Sequence, residues 1–257
     1  MRNIQLNRKL RRLLRKLKVI IIETTMFILV ATGLIVSCTF NSKEVSAVTK
    51  DIQPYVLSDN SIVYKTEYQV QQEAKGKILI YHSHTSESYV DGYDVVQAGE
   101  DLAEKLRKKG FEVEHVTDVF DTDYNNSYYA SREMLKTKDL NSYELVIDFH
   151  RDSIDGKKVK GSDKKNQDIA KLMFVQTTES PNYIEQSNIV NGIMDKFSQF
   201  GEFTRDIWQY KKGINYYNGD LTDKLILIEN GFNTNEQLEV KRANTYLAAA
   251  IEQYLNN

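Results

Sequence analysis

Residues 78–89, with the sequence ILIYHSHTSESY, decide the fold of this chain. The first four residues form a continuous apolar run, which is typical of a strand that is covered on both faces. Two of the chain's four histidines and a carboxylate follow directly. A buried strand that delivers imidazoles and a carboxylate to its carboxyl end is a suitable base for a metal site.

The chain from residue 76 onward alternates strand-like and helix-like segments. Apolar runs predict strands at residues 78–81, 145–149, 172–175 and 225–228, and alternation of apolar and polar residues predicts another at 111–116. Helical periodicity, with a capping sequence at 234–237 before the last segment, predicts helices at residues 95–109, 127–136, 184–200 and 234–255. This alternation predicts an α/β domain with a single open, mostly parallel sheet flanked by helices.

Three of the predicted strands end in residues that bind metals or transfer protons. The first ends in His82, the strand at 145–149 in His150, and the strand at 225–228 in Glu229. Sites in open α/β sheets form beyond the carboxyl ends of the strands. Imidazoles and a carboxylate suit Zn²⁺, whose remaining position holds water, and a nearby free carboxylate can take the proton of that water.

The residues around the first strand end differ in their expected roles. His82 is expected to bind the metal, because His84 and Glu87 follow it closely. His84 is either a ligand or a substrate contact, in which case Glu87 completes the metal's ligands. His115 alternates with apolar residues on an ordinary strand and is expected to be structural, and Asp148 is expected to point away from the site.

Charge and cysteine content exclude some classes of protein. The formal net charge is −2, but residues 1–18 carry eight Lys and Arg and no acid, which leaves −10 for the rest of the chain. An acidic body argues against a domain that binds nucleic acid. The single cysteine excludes an intramolecular disulfide, so the fold is expected to depend on its core and on a metal.

The N-terminal segment predicts a membrane anchor. Residues 19–40 are long and apolar enough for a transmembrane helix, and Glu23 is their only charge. The basic residues 1–18 place the N-terminus in the cytoplasm and the rest of the chain outside. An uncleaved signal anchor is favoured, with a lipidated Cys38 as the alternative. Residues 41–75 are expected to be an extracytoplasmic linker that contains a peripheral strand.

Three motifs together resemble one protein family. They are IYHSHTSESY at 80–89, DFHRD at 148–152 and IENGFNTN at 228–235, and they resemble the stage II sporulation protein P family. The resemblance covers residues 77–255, and the N-terminal membrane segment also fits it. That family is a distant branch of the zinc-dependent N-acetylmuramoyl-L-alanine amidases, so the resemblance implies an amidase-like zinc domain at residues 76–257.

The resemblance also implies roles for individual residues. It gives His82 and His150 the role of zinc ligands and Glu229 the role of catalytic glutamate. In the wider amidase family the third ligand is a glutamate well downstream of the first histidine. Glu87 is assigned to that role here, because the motif is compact around it. The alternatives for the third ligand are, in order, His84 and Glu100.

The function implied by the resemblance is hydrolysis of peptidoglycan during engulfment of the spore. The bond would be the N-acetylmuramoyl–L-alanine amide, with peptide cross-links as a further target and stage II sporulation proteins D and M as partners. The domain would lie between the mother-cell and forespore membranes, attached to the cell membrane by a single span.

Two alternative functions compete with this one. The first is a non-catalytic, membrane-anchored scaffold or wall-binding protein with a vestigial metal site. The second is a metallo-β-lactamase-type two-metal enzyme, for which four histidines are too few. The loops around residues 124–129 and 210–218 are rich in Tyr and Asn, but their composition assigns no role to any residue.

Overall fold

The computed structural model describes residues 54–56, 62–64, 74–120, 123–156 and 158–256. The chain divides into two units, residues 1–70 and 71–257. In the first unit, β1 (Pro54–Val56) and β2 (Ile62–Tyr64) pair with each other in antiparallel fashion, within the predicted linker. The membrane segment predicted at 19–40 lies outside the described residues. None of the helices among the described residues has the length and apolar character that a membrane crossing requires.

The second unit is built on a six-stranded sheet, accompanied by a small sheet of three short strands. The strands of the second unit are β3 (Lys77–Tyr81), β4 (Glu112–His115), β5 (Leu145–Asp152), β6 (Gly161–Asp163), β7 (Asp168–Ile169), β8 (Leu172–Thr177), β9 (Gly201–Glu202), β10 (Trp208–Tyr210) and β11 (Leu225–Phe232). The order in the large sheet is β10-β8-β11-β5-β3-β4, and the small sheet has the order β7-β6-β9. In the large sheet β8 and β11 are antiparallel, and every other neighbouring pair is parallel. The predicted α/β fold with a mostly parallel sheet is therefore confirmed.

In the part of the chain that the structure describes, four α-helices cover the two faces of the large sheet. They are α1 (Val95–Lys108), α2 (Ser127–Lys136), α3 (Tyr183–Ser198) and α4 (Gln237–Leu255). Side chains alternate across β3, so Ile78 and Ile80 join the core formed with α1, α3 and α4, while Leu79 and Tyr81 join the smaller core formed with α2. All four of these β3 side chains are fully buried, and each large apolar side chain contributes about 1.5–3 kcal/mol.

The start of α4 differs from the predicted capping box at 234–237. The helix begins at Gln237, and the carboxylate of Glu239 accepts a hydrogen bond from the backbone N–H of Glu236 over 3.0 Å. Thr234 and Asn235 belong to the turn that follows β11, because the N–H of Asn235 donates to the carbonyl of Phe232. The expected box is therefore displaced by two residues.

Candidate active site

The carboxyl ends of β3, β5 and β11 meet at one edge of the large sheet. These three strands are parallel neighbours, with β5 in the centre. Glu229 on β11 lies directly beside His150 on β5 in the strand pairing. The imidazole and the carboxylate therefore lie side by side although they are far apart in sequence. This placement agrees with the prediction from the apolar runs that precede His150 and Glu229.

A cavity of about 460 Å³ opens at this edge. His84, Glu87, His150 and Glu229 are among the residues that line it. Its aromatic wall consists of Tyr124, Tyr128, Trp208, Tyr210 and Tyr217. This volume lies within the range that small-molecule sites usually have, and the combination of an apolar wall with a few convergent polar groups is typical of such sites.

Glu87 and His150 are in close contact inside the cavity. The Oε2 atom of Glu87 lies 3.4 Å from Nδ1 of His150, and both side chains are buried. The same oxygen accepts a hydrogen bond from the backbone N–H of Arg151 over 3.1 Å. The backbone carbonyl of Glu87 accepts from the N–H of Val95, which anchors this loop at the start of α1.

Asp148 orients His150 from below the cavity. His150 Nε2 donates to Asp148 Oδ1 over 2.7 Å, so Nδ1 is the ring nitrogen that faces Glu87. Burial alone would lower the pKa of His150, but the carboxylates of Asp148 and Glu87 raise that pKa well above its usual value. The expectation that Asp148 points away is wrong, because residues two apart on a strand share a face.

His84 is part of the cavity. Its ring stacks on Tyr124 at a centroid distance of 4.0 Å and lies 5.4 Å from the ring of His150. Ser127 Oγ at the start of α2 is 3.4 Å from His84 Nε2. The second histidine of the opening motif is therefore the one that reaches the cavity.

His82 lies outside the cavity and is already engaged at both ring nitrogens. Nδ1 donates to the carbonyl of Phe149 over 2.7 Å, and Nε2 lies 2.8 Å from Nε2 of His115. Burial, with a smaller effect of His115, lowers the pKa of His82 to about 3. Both ring nitrogens of His82 thus contact protein groups outside the cavity, and its ligand role remains a prediction. Glu100 does not line the cavity either, because its carboxylate pairs with His115 and Arg107.

Glu229 carries a carboxylate oxygen without a hydrogen-bond partner. Among the described residues, nothing donates to its Oε2 atom, although that atom is buried. Burial, reinforced by the negative charge of Glu87, raises the pKa of Glu229 to about 8. The hydroxyl of Tyr89 donates to the carbonyl of Asn230 over 3.0 Å and so ties the loop after β3 to this strand. With a pKa of about 8, the carboxylate of Glu229 can exchange a proton near neutral pH.

The mouth of the cavity presents exposed aromatic side chains. Tyr124, Trp208 and Tyr210 are 61%, 54% and 44% exposed, respectively, although each lines the cavity. Trp208 and Tyr210 belong to β10, which is an edge strand of the large sheet. Tyr124 and Tyr210 belong to the Tyr- and Asn-rich loops that are evident in the sequence. No sequence pattern indicated that Trp208 would line the cavity.

A left-handed backbone segment forms part of the cavity wall. Asn215–Asn218 have four consecutive φ angles between 48° and 64°, and Tyr217 within this segment lines the cavity. Such a conformation costs roughly 1–2 kcal/mol for each non-glycine residue, and Asn tolerates it better than Tyr. Gln186 Nε2 holds the following turn by donating to the carbonyls of Gly219 and Thr222.

Comparison of the sequence with protein families identifies the chain's relatives. Residues 37–252 match the family model described as stage II sporulation protein P (SpoIIP). This chain belongs to the SpoIIP family. The Stage II sporulation protein P of Bacillus subtilis (strain 168) is 28% identical over 196 residues, which are 66% of this chain and 48% of that protein. The SpoIIP-family chain thus spans about half the length of the curated relative that it matches.

Solved structures with a similar fold include two amidases and a peptidase. The CwlD amidase from Clostridioides difficile, in complex with the GerS lipoprotein, is 14% identical with a TM-score of 0.48, covering 70% of this chain and 98% of that one. The N-acetylmuramyl-L-alanine amidase Ami1 from Mycobacterium smegmatis is 8% identical with a TM-score of 0.45, covering 72% and 99%. A metallo-carboxypeptidase from Burkholderia cenocepacia is 12% identical with a TM-score of 0.44, covering 72% and 58%. All three TM-scores are below 0.5, so these similarities support no argument about the site.

The donor types in the SpoIIP-family cavity fit zinc. Within the part of the chain that the structure describes, no group of three or more His, Cys, Asp or Glu side chains is arranged as a ready metal site. The imidazoles of His84 and His150 and the carboxylate of Glu87 nevertheless line the same cavity. These are the donors that catalytic zinc uses most often, and the unpartnered oxygen of Glu229 lies in the cavity with them.

Proposed function

We propose that this chain is a zinc-dependent peptidoglycan hydrolase that acts in sporulation and cleaves the N-acetylmuramoyl–L-alanine amide bond. The observation that carries the proposal is the buried, unpartnered carboxylate oxygen of Glu229 in a cavity lined by two histidines and a second glutamate. Amide hydrolysis requires a group that takes a proton from water and returns it to the leaving nitrogen, and Glu229 is suited to both steps.

His84, Glu87 and His150 are the residues that would hold zinc. When bound, zinc would polarise the amide carbonyl and lower the pKa of water. The hydrogen bond from His150 to Asp148 keeps a proton on Nε2 and leaves Nδ1 for the metal, a common arrangement for metal-binding histidines. The backbone N–H of Arg151 holds the carboxylate of Glu87 in place. The choice of His84 in place of His82 is part of this proposal.

Glu229 acts as the general base. Its pKa of about 8 is a consequence of burial, and a cation bound nearby would lower it toward neutrality. With its pKa near neutrality, Glu229 accepts a proton from the attacking water on Oε2 and then donates this proton to the leaving nitrogen of L-alanine. Efficient proton transfer requires a pKa near the working pH, which this environment favours.

The aromatic mouth of the cavity is suited to the sugar and peptide of the substrate. Flat, half-exposed rings such as Trp208 and Tyr210 provide contact surface at a small cost in side-chain entropy. Arg205 also lines the cavity, where one of its terminal nitrogens pairs with Asp152 at 2.7 Å. Its other N–H groups are donors for a carboxylate of the stem peptide. Peptide cross-links would fit the same wall as a second class of target.

The cellular setting is also part of the proposal. Residues 19–40 would anchor the chain in the cell membrane, with residues 76–257 between the mother-cell and forespore membranes. Stage II sporulation proteins D and M are the proposed partners, and nucleic acid is not. These statements rest on the sequence of the N-terminal segment and on membership of the SpoIIP family.

Mass spectrometry of the products from purified peptidoglycan tests the proposed reaction. The full chain, purified in a mild detergent and supplied with zinc, should release stem peptides that begin with a free L-alanine. Glu229→Gln should keep the fold and the metal but lose this release. Undiminished release by Glu229→Gln would refute the mechanism, and the absence of products from the parent protein would favour a scaffold function.

A further inference from the structure

A chain of buried hydrogen bonds leads from the left-handed segment to His150. Asn218 Nδ2 donates to Ser131 Oγ over 3.0 Å, and Ser131 Oγ lies 3.0 Å from Ser83 Oγ. Ser83 Oγ donates to Asp148 Oδ2 over 2.7 Å, and the Oδ1 atom of Asp148 accepts from His150 Nε2. The segment at 215–218, helix α2 and the loop after β3 are thus linked in series to the carboxylate of Asp148.

The two ends of this chain fix the direction of every hydrogen bond in it. The amide nitrogen of Asn218 can only donate, and the carboxylate of Asp148 can only accept. Ser131 therefore accepts from Asn218 and donates to Ser83, which in turn donates to Asp148. These four side chains have no exposed surface, so water does not replace a lost partner. Asp148 Oδ1 also accepts from the backbone N–H of Ser83 over 2.9 Å, and Ser131 Oγ lies 3.4 Å from the carbonyl of Tyr128. In a buried network of this kind, the loss of one member leaves the next one unsatisfied.

The first donor of the chain lies next to a residue of the cavity wall. Tyr217 immediately precedes Asn218, and its ring lies 4.9 Å from that of Tyr128 and 5.5 Å from that of Tyr210. Both residues belong to the left-handed segment, which persists only where the surrounding structure holds it. The N–H of Leu221 donates to the carbonyl of Asn218, so the backbone of Asn218 is held as well as its side chain.

We propose that Asn218 is a positioning residue for His150. Through Ser131 and Ser83 it fixes the carboxylate of Asp148, which in turn fixes the ring of His150. The inference rests on the proposed function, since the role of His150 in holding zinc is defined there.

The Nε2–H proton of His150 provides a direct test that does not depend on activity. The chain has only four histidines, so the imidazole N–H signals of the full chain labelled with ¹⁵N-histidine can be assigned by substitution. In the metal-free protein, Asn218→Ala and Ser131→Ala should each accelerate exchange of this proton with water at least 10-fold. Zinc affinity should fall by up to about 10-fold, the lower end of the loss that follows removal of a direct hydrogen-bonded partner of a metal ligand, because both residues act on His150 through Asp148.

Asn244→Ala is the matched control. Asn244 is also fully buried, its amide nitrogen donates to the carbonyl of Ala98, and its amide oxygen accepts from Asn230, so it belongs to a buried network that does not include Asp148 or His150. This variant should lose stability but keep the exchange rate of the His150 proton and the zinc affinity of the parent.

The comparison of Ser131→Ala with Ser131→Thr tests the proposal if Asn218→Ala does not fold. Ser131→Thr retains the hydroxyl and should restore the slow exchange that Ser131→Ala loses. Parent-like exchange and zinc affinity in Asn218→Ala and Ser131→Ala, with only a lower melting temperature, would overturn the proposal. If the parent released no stem peptides, the proposed function would fail, whereas the exchange measurement would still decide whether Asn218 positions His150.

Discussion

The Nδ1 atom of His82 donates a hydrogen bond of 2.7 Å to the backbone carbonyl of Phe149, the residue that precedes His150. This bond joins the end of β3 to β5 directly beneath the cavity. The other ring nitrogen of His82 lies 2.8 Å from Nε2 of His115. In this structure His82 therefore contacts the framework of the sheet, whereas His84 lines the cavity.

Alanine substitutions of the two histidines should give opposite results. His84→Ala should reduce zinc binding about 100-fold or more, because it removes a proposed ligand, and should leave the fold intact. His82→Ala should keep about one zinc per chain but lower the free energy of unfolding by about 1–3 kcal/mol, because it leaves buried partners unsatisfied. Metal analysis and urea unfolding of the full chain measure both effects. The reverse pattern would restore His82 as the ligand.

Trp208→Ala should weaken substrate binding more than it slows the chemical step. Removing this ring from the cavity mouth should raise the KM for peptidoglycan fragments about 2- to 10-fold, the value of one aromatic contact, and leave kcat within about 2-fold. Tyr129→Ala is the control, since Tyr129 is an exposed aromatic residue of α2 that does not line the cavity. An equal change in KM in Trp208→Ala and Tyr129→Ala would argue against a role for β10 in substrate binding.

Gly99→Ala should destabilise the domain although it lies in the middle of α1. Alanine would normally favour the helix by about 1 kcal/mol. At this position a Cβ atom would lie 2.5 Å from Cε1 of His82, whose ring is held by two hydrogen bonds. We expect a net loss of about 1–3 kcal/mol in urea unfolding. Glu104→Ala on the exposed side of α1 should change stability by less than about 0.5 kcal/mol, and a stabilised Gly99→Ala would contradict this packing.

Glu114 should make stability depend on pH in the acid range. Burial alone would raise its pKa, but hydrogen bonds from Lys138 and Tyr143 outweigh burial and lower the pKa from 4.5 to about 2. A lowered carboxyl pKa stabilises the fold above pH 4.5, and this contribution is lost as the pH falls toward 2. Glu114→Gln should therefore cost about 1 kcal/mol at pH 7, after allowance for screening at this partly exposed site, and progressively less below pH 4.5.

Thermal unfolding of Glu114→Gln and its parent between pH 7 and pH 3 checks this prediction. Glu133→Gln serves as the control, because Glu133 is largely exposed and pairs only with Lys136 among the described residues. A difference between Glu114→Gln and its parent that does not change with pH would show that the ion pairs of Glu114 do not contribute to stability in this way.

Sequence patterns were sufficient for the parallel part of the sheet and for the helices. Short, mostly apolar runs such as 145–149, bounded by polar residues, favour a strand that is covered on both faces. The antiparallel direction of β8 was not predictable, because an apolar run carries no information about strand direction. The three-stranded sheet of β6, β7 and β9 was also missed, since strands of two or three residues show no periodicity.

The candidate site was predictable where a strand fixes the position of a side chain. His150 and Glu229 lie at the strand ends, and their pairing follows from the order of the sheet. His82 and His84 come after the end of β3, where alternation stops and the turn of the loop decides which ring reaches the cavity. The same limit applies to Trp208, which enters the cavity wall only through tertiary contact between distant segments.

Trp208 provides an intrinsic fluorescence probe at the mouth of the cavity. It is the only tryptophan in the chain, so all indole fluorescence comes from the mouth of the cavity. A ligand that covers this half-exposed ring should shift its emission to shorter wavelength, whereas events elsewhere in the molecule should leave the emission unchanged. Arrival and departure of wall fragments can therefore be timed in an unlabelled, catalytically inactive variant, separately from bond cleavage.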